Sequence, residues 1–154
     1  MLYKEVLGHN KIKDILTRAQ SEARVGHAYV FEGPSGVGKL NMAKAFANHI
    51  LCEKPDKEDS CGVCRACGSC SSNNHPDVVI VTNEHYGVAK KTNNLSVETI
   101  REMKNDIYIR PYLSDHKIYI VPNAETMNNY AQNSLLKVLE EPPSYCTIIL
   151  LVEN

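Results

Sequence analysis

The stretch GPSGVGKL, Gly33 to Leu40, lies between a short apolar run and a segment with helical character. Ala28 to Phe31 predict a buried strand, and Lys39 to about Leu51 predict a helix. A glycine-rich turn that leads from a strand into a helix points backbone N–H groups at an anion, so the segment predicts an α/β chain with a phosphate or nucleotide site. The predicted site residues are Gly33, Pro34, Ser35, Gly36, Val37, Gly38, Lys39 and Leu40. The alternative is a tight turn that keeps glycine for backbone reasons alone.

The loop lacks the hydroxyl that usually follows its lysine. In GxxxxGK[ST] that hydroxyl binds Mg²⁺, a cation that prefers oxygen ligands, and Leu40 offers none. A phosphate-hydrolysing site also needs a carboxylate at the end of a neighbouring strand. The strand KIYIV is followed by Pro122 and Asn123, and Glu125 comes two residues too late. We therefore predict that phosphate binding is retained and that metal-dependent hydrolysis is lost.

Apolar runs and amphipathic segments alternate along the rest of the chain. Residues 10–25 predict a helix whose apolar face carries Ile12, Ile15, Leu16, Ala19 and Ala23. Strands are predicted at Val78–Val81, Ile118–Val121 and in CTIILLV, which is apolar enough to be a central parallel strand.

Further helices are predicted after Ser96, with Val97, Ile100, Met103 and Ile107 buried, and from Met127 to Glu140, ending at Pro142 and Pro143. The buried face of the last helix is predicted to carry Met127, Tyr130, Ala131, Leu135, Val138 and Leu139. Residues 83–94 predict a loop. The alternation indicates an α/β fold with a parallel sheet.

Charge and hydropathy limit the function classes. Lys and Arg number 17 against 18 Asp and Glu, so no chain-wide positive field favours nucleic acid or an anionic membrane. The start MLYKEVLGHN has no apolar signal region, and Ile148–Val152 is too short to span a bilayer. We expect a soluble cytoplasmic protein with no membrane contact.

The cysteines are clustered. Cys52, Cys61, Cys64 and Cys67 form C-x8-C-x2-C-x2-C, which favours a structural Zn²⁺ held by four thiolates. Two alternatives are an iron–sulfur centre that includes Cys70 and a set of reduced structural thiols. Cys146 lies in a predicted buried strand and is expected to be a core residue.

Several segments together resemble one family. They are GHNKIKDIL, GHAYVFEGPSGVGK, the cysteine pattern, NHPDVVIV, SVETIREM, KIYIVPNAETMN and NSLLKVLEEPP. They resemble, collinearly and over nearly the whole chain, the clamp-loader subunits of bacterial DNA polymerase III, which are AAA+ proteins. The resemblance implies a P-loop NTPase-like, three-layer domain with strand order 1-4-3-2, zinc on Cys52, Cys61, Cys64 and Cys67, and a sensor residue near Asn154. It leaves Cys70 unexplained.

Within that family, GKL and PNAE are similar to the delta-prime type, which acts as a stator with degraded nucleotide motifs, rather than to the gamma/tau motor. The resemblance implies partnership with gamma/tau and delta subunits, and loading of the sliding clamp onto primed DNA without hydrolysis of ATP by this chain. ATP or ADP binding without hydrolysis is compatible with the retained loop.

The resemblance also implies a domain organisation. Residues 1–154 are expected to be a truncated AAA+ nucleotide-binding-type domain, with 52–70 as an inserted zinc module. The fifth strand, lid and collar domains of the family are expected to lie outside the sequence, and the unpaired edge of the first strand would favour self-association.

Two other functions remain open. The chain could be a gamma/tau-like ATPase with an unusual metal arrangement. It could also be a zinc-dependent nucleic-acid-binding module that uses Lys54, Lys57 and Arg65, although interleaved acidic residues in that segment favour an ordinary solvated surface.

Overall fold

A four-stranded parallel sheet forms the centre of the computed structural model, which describes residues 1–89 and 92–154. Its order is β1-β4-β3-β2, as the family resemblance implied. β4 pairs with β1 on one side and with β3 on the other, which confirms the central position that its apolar sequence predicted. The strands are β1 (Ala28–Gly33), β2 (Val78–Ile80), β3 (Lys117–Val121) and β4 (Cys146–Glu153).

Helices cover both faces of the sheet. The helices are α1 (Asn10–Ser21), α2 (Lys39–Leu51), α3 (Arg65–Ser71), α4 (Val97–Ile107) and α5 (Asn129–Glu140). Buried residues of α4 and α5 pack with Tyr119 and Ile148 on one face, whereas those of α1, α2 and α3 pack with Ile118, Ile120 and Ile149 on the other. The result is a three-layer α/β/α arrangement, in which no helix of the described part of the chain is long and apolar enough to cross a membrane.

The predicted helix at residues 10–25 is shorter than expected, and its predicted buried face is wrong in part. α1 ends at Ser21, and Ala23 adopts a left-handed conformation with φ 53° instead of a helical one. Only Leu16 is buried on this helix, while Ile12 and Ile15 are 43% and 64% exposed. The rest of the structure covers a narrower stripe of α1 than its sequence pattern offers.

The last helix shows a smaller discrepancy. α5 begins at Asn129, because the side chain of Asn128 accepts the N–H of Ala131 and caps it. Met127 is buried although it precedes the helix, and Tyr130, predicted to be buried, is 77% exposed. The capping by Ser96 and the burial of Ile100, Met103 and Ile107 on α4 are confirmed. The described residues of 83–94 contain no helix or strand, as predicted, and Lys90 and Lys91 lie outside the described residues.

A buried carboxylate holds the loop between α4 and β3 against the start of β2. Asp77 is 1% exposed and accepts hydrogen bonds from the N–H groups of Tyr112, Leu113 and Ser114 at 2.6, 2.7 and 2.8 Å. The Ser114 hydroxyl adds a fourth at 2.9 Å. Burial raises the pKa of Asp77, but these donors lower it by more, so the net pKa lies below its ordinary value.

Replacing Asp77 with Asn is expected to lower the free energy of unfolding by about 3 kcal/mol at pH 7, because charge-assisted hydrogen bonds are lost at a buried site. Since the folded-state pKa is depressed, this contribution is complete above the ordinary carboxyl pKa of about 4 and disappears as the pH falls through the folded-state value. Urea unfolding between pH 2 and 7 should show a shallower loss of stability on acidification for Asp77→Asn than for wild type. The control is Asp115→Asn, an exposed residue of the same loop. Equal acid profiles for Asp77→Asn and wild type would contradict the role of the carboxylate.

Candidate functional site

The predicted phosphate loop has the backbone of an anion cradle. It leaves β1 at Gly33 and enters α2 at Lys39, where Gly38 is the N-cap. Gly36 and Gly38 have φ values of 77° and 95°, a region that residues with a Cβ rarely adopt, so glycine is required at both positions. The first N–H groups of α2 have no helical partner and can bind an anion.

Lys39 and His9 hold the loop through its carbonyl groups. Lys39 Nζ donates to the carbonyl oxygens of Gly33 and Pro34, both at 2.7 Å. His9 Nε2 lies 2.9 Å from the carbonyl oxygen of Val37 and must donate to it, since a carbonyl only accepts. His9 was not predicted from the sequence, because it lies 28 residues from Val37 and no local pattern signals the contact.

A cleft of about 360 Å³ lies beside the loop. It brings together the position of the missing hydroxyl and the positions of the missing carboxylates. Its lining includes Gly38, Lys39 and Leu40 from the loop, and Pro122 and Asn123 from the end of β3. Asn123 has a left-handed backbone with φ 53°. The positions at which a hydroxyl and carboxylates would hold Mg²⁺ therefore carry an alkyl chain, a proline ring and an amide, all lining the same cleft.

Two acidic residues at this edge of the sheet have different contacts. Glu125 accepts the backbone N–H of Glu153 at 3.1 Å, so its carboxylate ties the end of β4 to the segment after β3. Glu153 lines the cleft. Asn154, which the resemblance placed near a sensor position, donates its backbone N–H to the carbonyl of Gly33 at 3.3 Å. Among the described residues that line the cleft, Glu153 alone has a carboxylate.

The four predicted cysteine ligands form a compact cluster. The Sγ atoms of Cys52, Cys61, Cys64 and Cys67 all lie within 4.8 Å of one another. Two of the sulfur pairs, Cys52 with Cys64 and Cys61 with Cys67, are 3.9 Å apart. Sulfurs around a single Zn²⁺ with Zn–S bonds of about 2.3 Å would lie about 3.8 Å apart. The cluster therefore fits one tetrahedral ion and leaves too little room for the inorganic core of an iron–sulfur centre.

Backbone donors support the thiolate form of this cluster. The N–H groups of Cys61, Cys64 and Cys67 point at the sulfurs of Cys52, Cys61 and Cys64 at 3.3, 3.3 and 3.4 Å. Hydrogen bonds from the backbone of Val63 and Cys64 lower the pKa of the Cys61 thiol to about 6. Burial raises the pKa of the Cys67 thiol, so an ion would have to displace its proton.

Local structure explains why the cysteines meet. Cys52 caps the C-terminus of α2, and Cys64 caps the N-terminus of α3, which places Cys67 in the first turn. α3 itself was not predicted, because seven residues rich in Gly, Ser and Cys carry no helical signal. The carboxylate of Asp59 accepts the N–H groups of Tyr3 at 3.0 Å and Lys4 at 3.2 Å, and so ties this segment to the start of the chain.

The two remaining cysteines are separate from the cluster. Cys70 is partly buried on α3 and packs against the core cluster that contains the buried residues of α2, and it is not among the residues that could hold the ion. Burial raises its pKa to about 11. Cys146 is fully buried in β4, which confirms the predicted core position.

Comparison with solved structures gives the class of this fold. A DNA polymerase III gamma subunit-related protein from Thermotoga maritima superposes with a TM-score of 0.61 at 21% identity, covering 94% of this chain and 38% of that one. The T. maritima RuvB Holliday junction branch migration motor gives 0.54 at 13% identity, covering 98% and 40%. These similarities, with the strand order and the loop after β1, define a P-loop NTPase-like domain of the AAA+ type.

Sequence comparison places the chain in a family within that class. The family described as "DNA polymerase III, delta subunit" matches residues 8–154, and the chain belongs to this clamp-loader family. It is 35% identical over 132 residues to the Pseudomonas aeruginosa DNA polymerase III subunit delta' and 32% identical over 148 residues to the Bacillus subtilis subunit tau. The matches cover 86% and 96% of this chain but only 38% and 25% of those relatives.

Serine substitution should separate the four clustered cysteines from Cys70. Cys64→Ser is expected to lose bound zinc, because it removes one of four thiolates around a single ion. Cys70→Ser is expected to keep one zinc per chain. Metal analysis of the purified proteins, with Co²⁺ absorption as a second readout of tetrahedral thiolate ligation, measures both. Zinc loss in Cys70→Ser, retention in Cys64→Ser, or iron in the wild-type protein would contradict the assignment.

Proposed function

We propose that this chain acts as a delta-prime-type, non-hydrolysing subunit of the clamp loader of DNA polymerase III, helping to load the sliding clamp onto primed DNA. Membership of the clamp-loader family supports the general assignment. Relatives of the tau and delta' kinds match at comparable identity, 32% and 35%, so identity does not distinguish the two kinds of subunit. The proposal of the delta-prime type therefore rests on the geometry of the cleft. The decisive observation is that Leu40, Pro122 and Asn123 line the cleft at the positions where a magnesium site uses a hydroxyl and carboxylates, and that Asn123 offers only an uncharged amide.

The cleft supports binding without turnover. Phosphoryl transfer to water needs a cation that neutralises developing charge and a group that orients the water. The loop residues Gly33, Pro34, Ser35, Gly36, Val37, Gly38, Lys39 and Leu40 would hold the phosphates of ATP or ADP through the Lys39 ammonium and the backbone N–H groups of the loop, to which Pro34 contributes none. A phosphate would compete with the Gly33 and Pro34 carbonyls for that ammonium.

The proposed organisation has one AAA+-type domain over residues 1–154 with a zinc module at 52–70. Zinc on Cys52, Cys61, Cys64 and Cys67 would be structural, because four protein thiolates leave no open coordination position for chemistry. In the assembled loader, this chain would contact gamma/tau and delta subunits, and hydrolysis would take place in the gamma/tau subunits.

A local cluster of cations supports contact with DNA. Arg101 and Lys104 on α4 and Lys137 on α5 line one groove of about 510 Å³ together with the exposed Tyr130. None of the described residues lining this groove carries a carboxylate. Because the chain as a whole is nearly neutral, with a net charge of −1, this groove offers a local site for DNA phosphates.

A gamma/tau-like ATPase is the second candidate, and Glu153 is the observation that favours it. Glu153 lines the proposed phosphate cleft, so the carboxylate of this residue could serve as a displaced magnesium ligand. This candidate requires turnover that depends on both Mg²⁺ and Glu153. The delta-prime-type proposal requires neither.

Nucleotide binding and phosphate release distinguish the two candidates. We expect ATP and ADP to bind with affinities that change less than about threefold on addition of Mg²⁺, since Leu40 and Pro122 offer the ion no ligand at the positions where a hydroxyl and a carboxylate would bind it. Lys39→Ala is expected to weaken binding about tenfold or more, because it removes the cation that faces the phosphates. Isothermal calorimetry measures binding, and a phosphate-release assay measures turnover.

Control variants show which of the two candidate functions each outcome supports. Leu40→Thr restores a hydroxyl and should make binding sensitive to Mg²⁺ without restoring turnover, because Pro122 and Asn123 are unchanged. Magnesium-dependent turnover that is abolished in both Lys39→Ala and Glu153→Gln would overturn the delta-prime-type proposal and establish a motor. Absence of any nucleotide binding would show that the loop is only a tight turn.

Reversing two charges in the α4–α5 groove should weaken DNA binding. In a loader assembled from this chain with gamma/tau and delta subunits, Lys104→Glu with Lys137→Glu is expected to reduce affinity for primed DNA about tenfold at low salt, with a shallower salt dependence. Lys11→Glu, on the exposed face of α1 across the sheet, is the matched control. Fluorescence anisotropy over a range of salt concentrations measures the effect. An unchanged salt slope would show that this groove does not contact DNA.

A further inference from the structure

The outer edge of β2 is unpaired within the described part of the chain. β2 is the last strand of the order β1-β4-β3-β2 and pairs only with β3. Ile118 donates to the carbonyl of Asp77, and Val81 donates to the carbonyl of Ile120, both at 2.8 Å. In a parallel ladder, alternate residues point their backbone groups to opposite sides, so both backbone groups of Ile80 and the carbonyl of Val78 face outward.

A groove of about 320 Å³ runs beside this edge. Its lining includes Val78 and Ile80 from β2, Ala47 from α2 and Cys70 from α3. Val78, Ile80 and Cys70 are only partly buried. An added strand would find outward backbone groups at its side and apolar contacts for alternate side chains, which is the geometry of β-strand addition.

A lysine gives the groove a positive charge. Lys44 lines it from α2, where its ammonium donates to the amide oxygen of Asn73 at 3.2 Å, and none of the described residues that line it carries a carboxylate. His75, which is 5% exposed, also lines it. His75 Nδ1 accepts the N–H of Asp77 at 3.1 Å, so the hydrogen of the neutral ring is on Nε2, and this atom has no partner. A buried N–H without an acceptor is unfavourable, so an oxygen acceptor that reached His75 Nε2 would be stabilised.

We propose that the edge of β2 and this groove bind an extended acidic segment of a partner protein, which adds to the sheet as a further strand. Backbone bonds to Val78 and Ile80 provide the pairing. Apolar side chains of the segment face Ala47 and Cys70, and its carboxylates face Lys44. The surface is distinct from the phosphate cleft and from the α4–α5 groove, so its occupation is independent of the proposed nucleotide and DNA contacts.

A defined peptide tests this site directly. The probe is a short fluorescein-labelled peptide that alternates Val and Glu, and its counterpart has Lys in place of Glu. We expect the acidic peptide to bind the 154-residue chain about tenfold or more tightly than the basic one. Fluorescence anisotropy measures affinity, and amide chemical shifts in ¹⁵N spectra locate the contact at Ile80, Lys44 and Cys70.

Two substitutions probe backbone pairing and charge separately. Ile80→Pro removes an outward N–H, which an edge strand tolerates because that group does not pair with β3. Lys44→Glu reverses the charge of the groove at a partly exposed position. Each is expected to weaken binding of the acidic peptide about tenfold. Ile80→Val and Lys57→Glu, an exposed lysine outside the groove, are the matched controls and should bind as wild type does.

Each alternative outcome overturns the proposal. Failure of the acidic peptide to bind, equal affinity for both peptides, or shifts confined to the phosphate loop would exclude the site. Self-association of the chain through Ile80 in the absence of peptide would identify a second copy as the occupant instead. If Ile80→Pro does not fold, Lys44→Glu still decides, because unchanged affinity in that variant excludes the role of charge.

Discussion

The parallel pairing of β4 with both β1 and β3 is the constraint on which the rest of the structure depends. It aligns Gly33 with Glu153 and Val121 with Leu150, so the carboxyl ends of all three strands meet at one edge. That edge carries the predicted phosphate loop after β1, Pro122 and Asn123 after β3, and Glu153 at the end of β4. The chemistry of the cleft is therefore decided by a few residues on loops, while the buried sheet fixes their positions.

The same arrangement separates two properties of a phosphate site. Backbone N–H groups and glycine conformations build the cradle, and these are retained at Gly36 and Gly38. Hydroxyl and carboxylate side chains build a metal site, and in the proposed phosphate cleft Leu40, Pro122 and Asn123 stand at those positions. A subunit with such a cleft can contribute a surface, and under the proposal it does so while neighbouring subunits provide the chemistry. Zinc in the cysteine module would make a local contribution to folding, transmitted to the first residues of the chain through Asp59.

Local patterns predicted much of this fold. β1, the loop and α2 follow from an apolar run, glycine spacing and helical periodicity within about 25 residues, and the strand order followed from the family resemblance. Ile12, Ile15 and Tyr130 were misplaced because periodicity shows which side chains are apolar, not how much of a helix its neighbours cover. The contacts of His9, Asp59 and Asp77 join residues far apart in sequence, so no spacing could predict them. The distances between the four sulfur atoms are visible only in the structure, whereas the sequence pattern already identified the four cysteines.

The most direct test of the central claim is a crystal structure of the chain with ADP and Mn²⁺, with anomalous scattering used to locate the metal. The account predicts a diphosphate on the backbone N–H groups of the loop and the Lys39 ammonium, with no manganese ion within bonding distance of a protein atom. A manganese ion bound to the Glu153 carboxylate would contradict it and would indicate an active metal site. A loop without bound diphosphate at saturating ADP would equally contradict the claim that the cradle is retained.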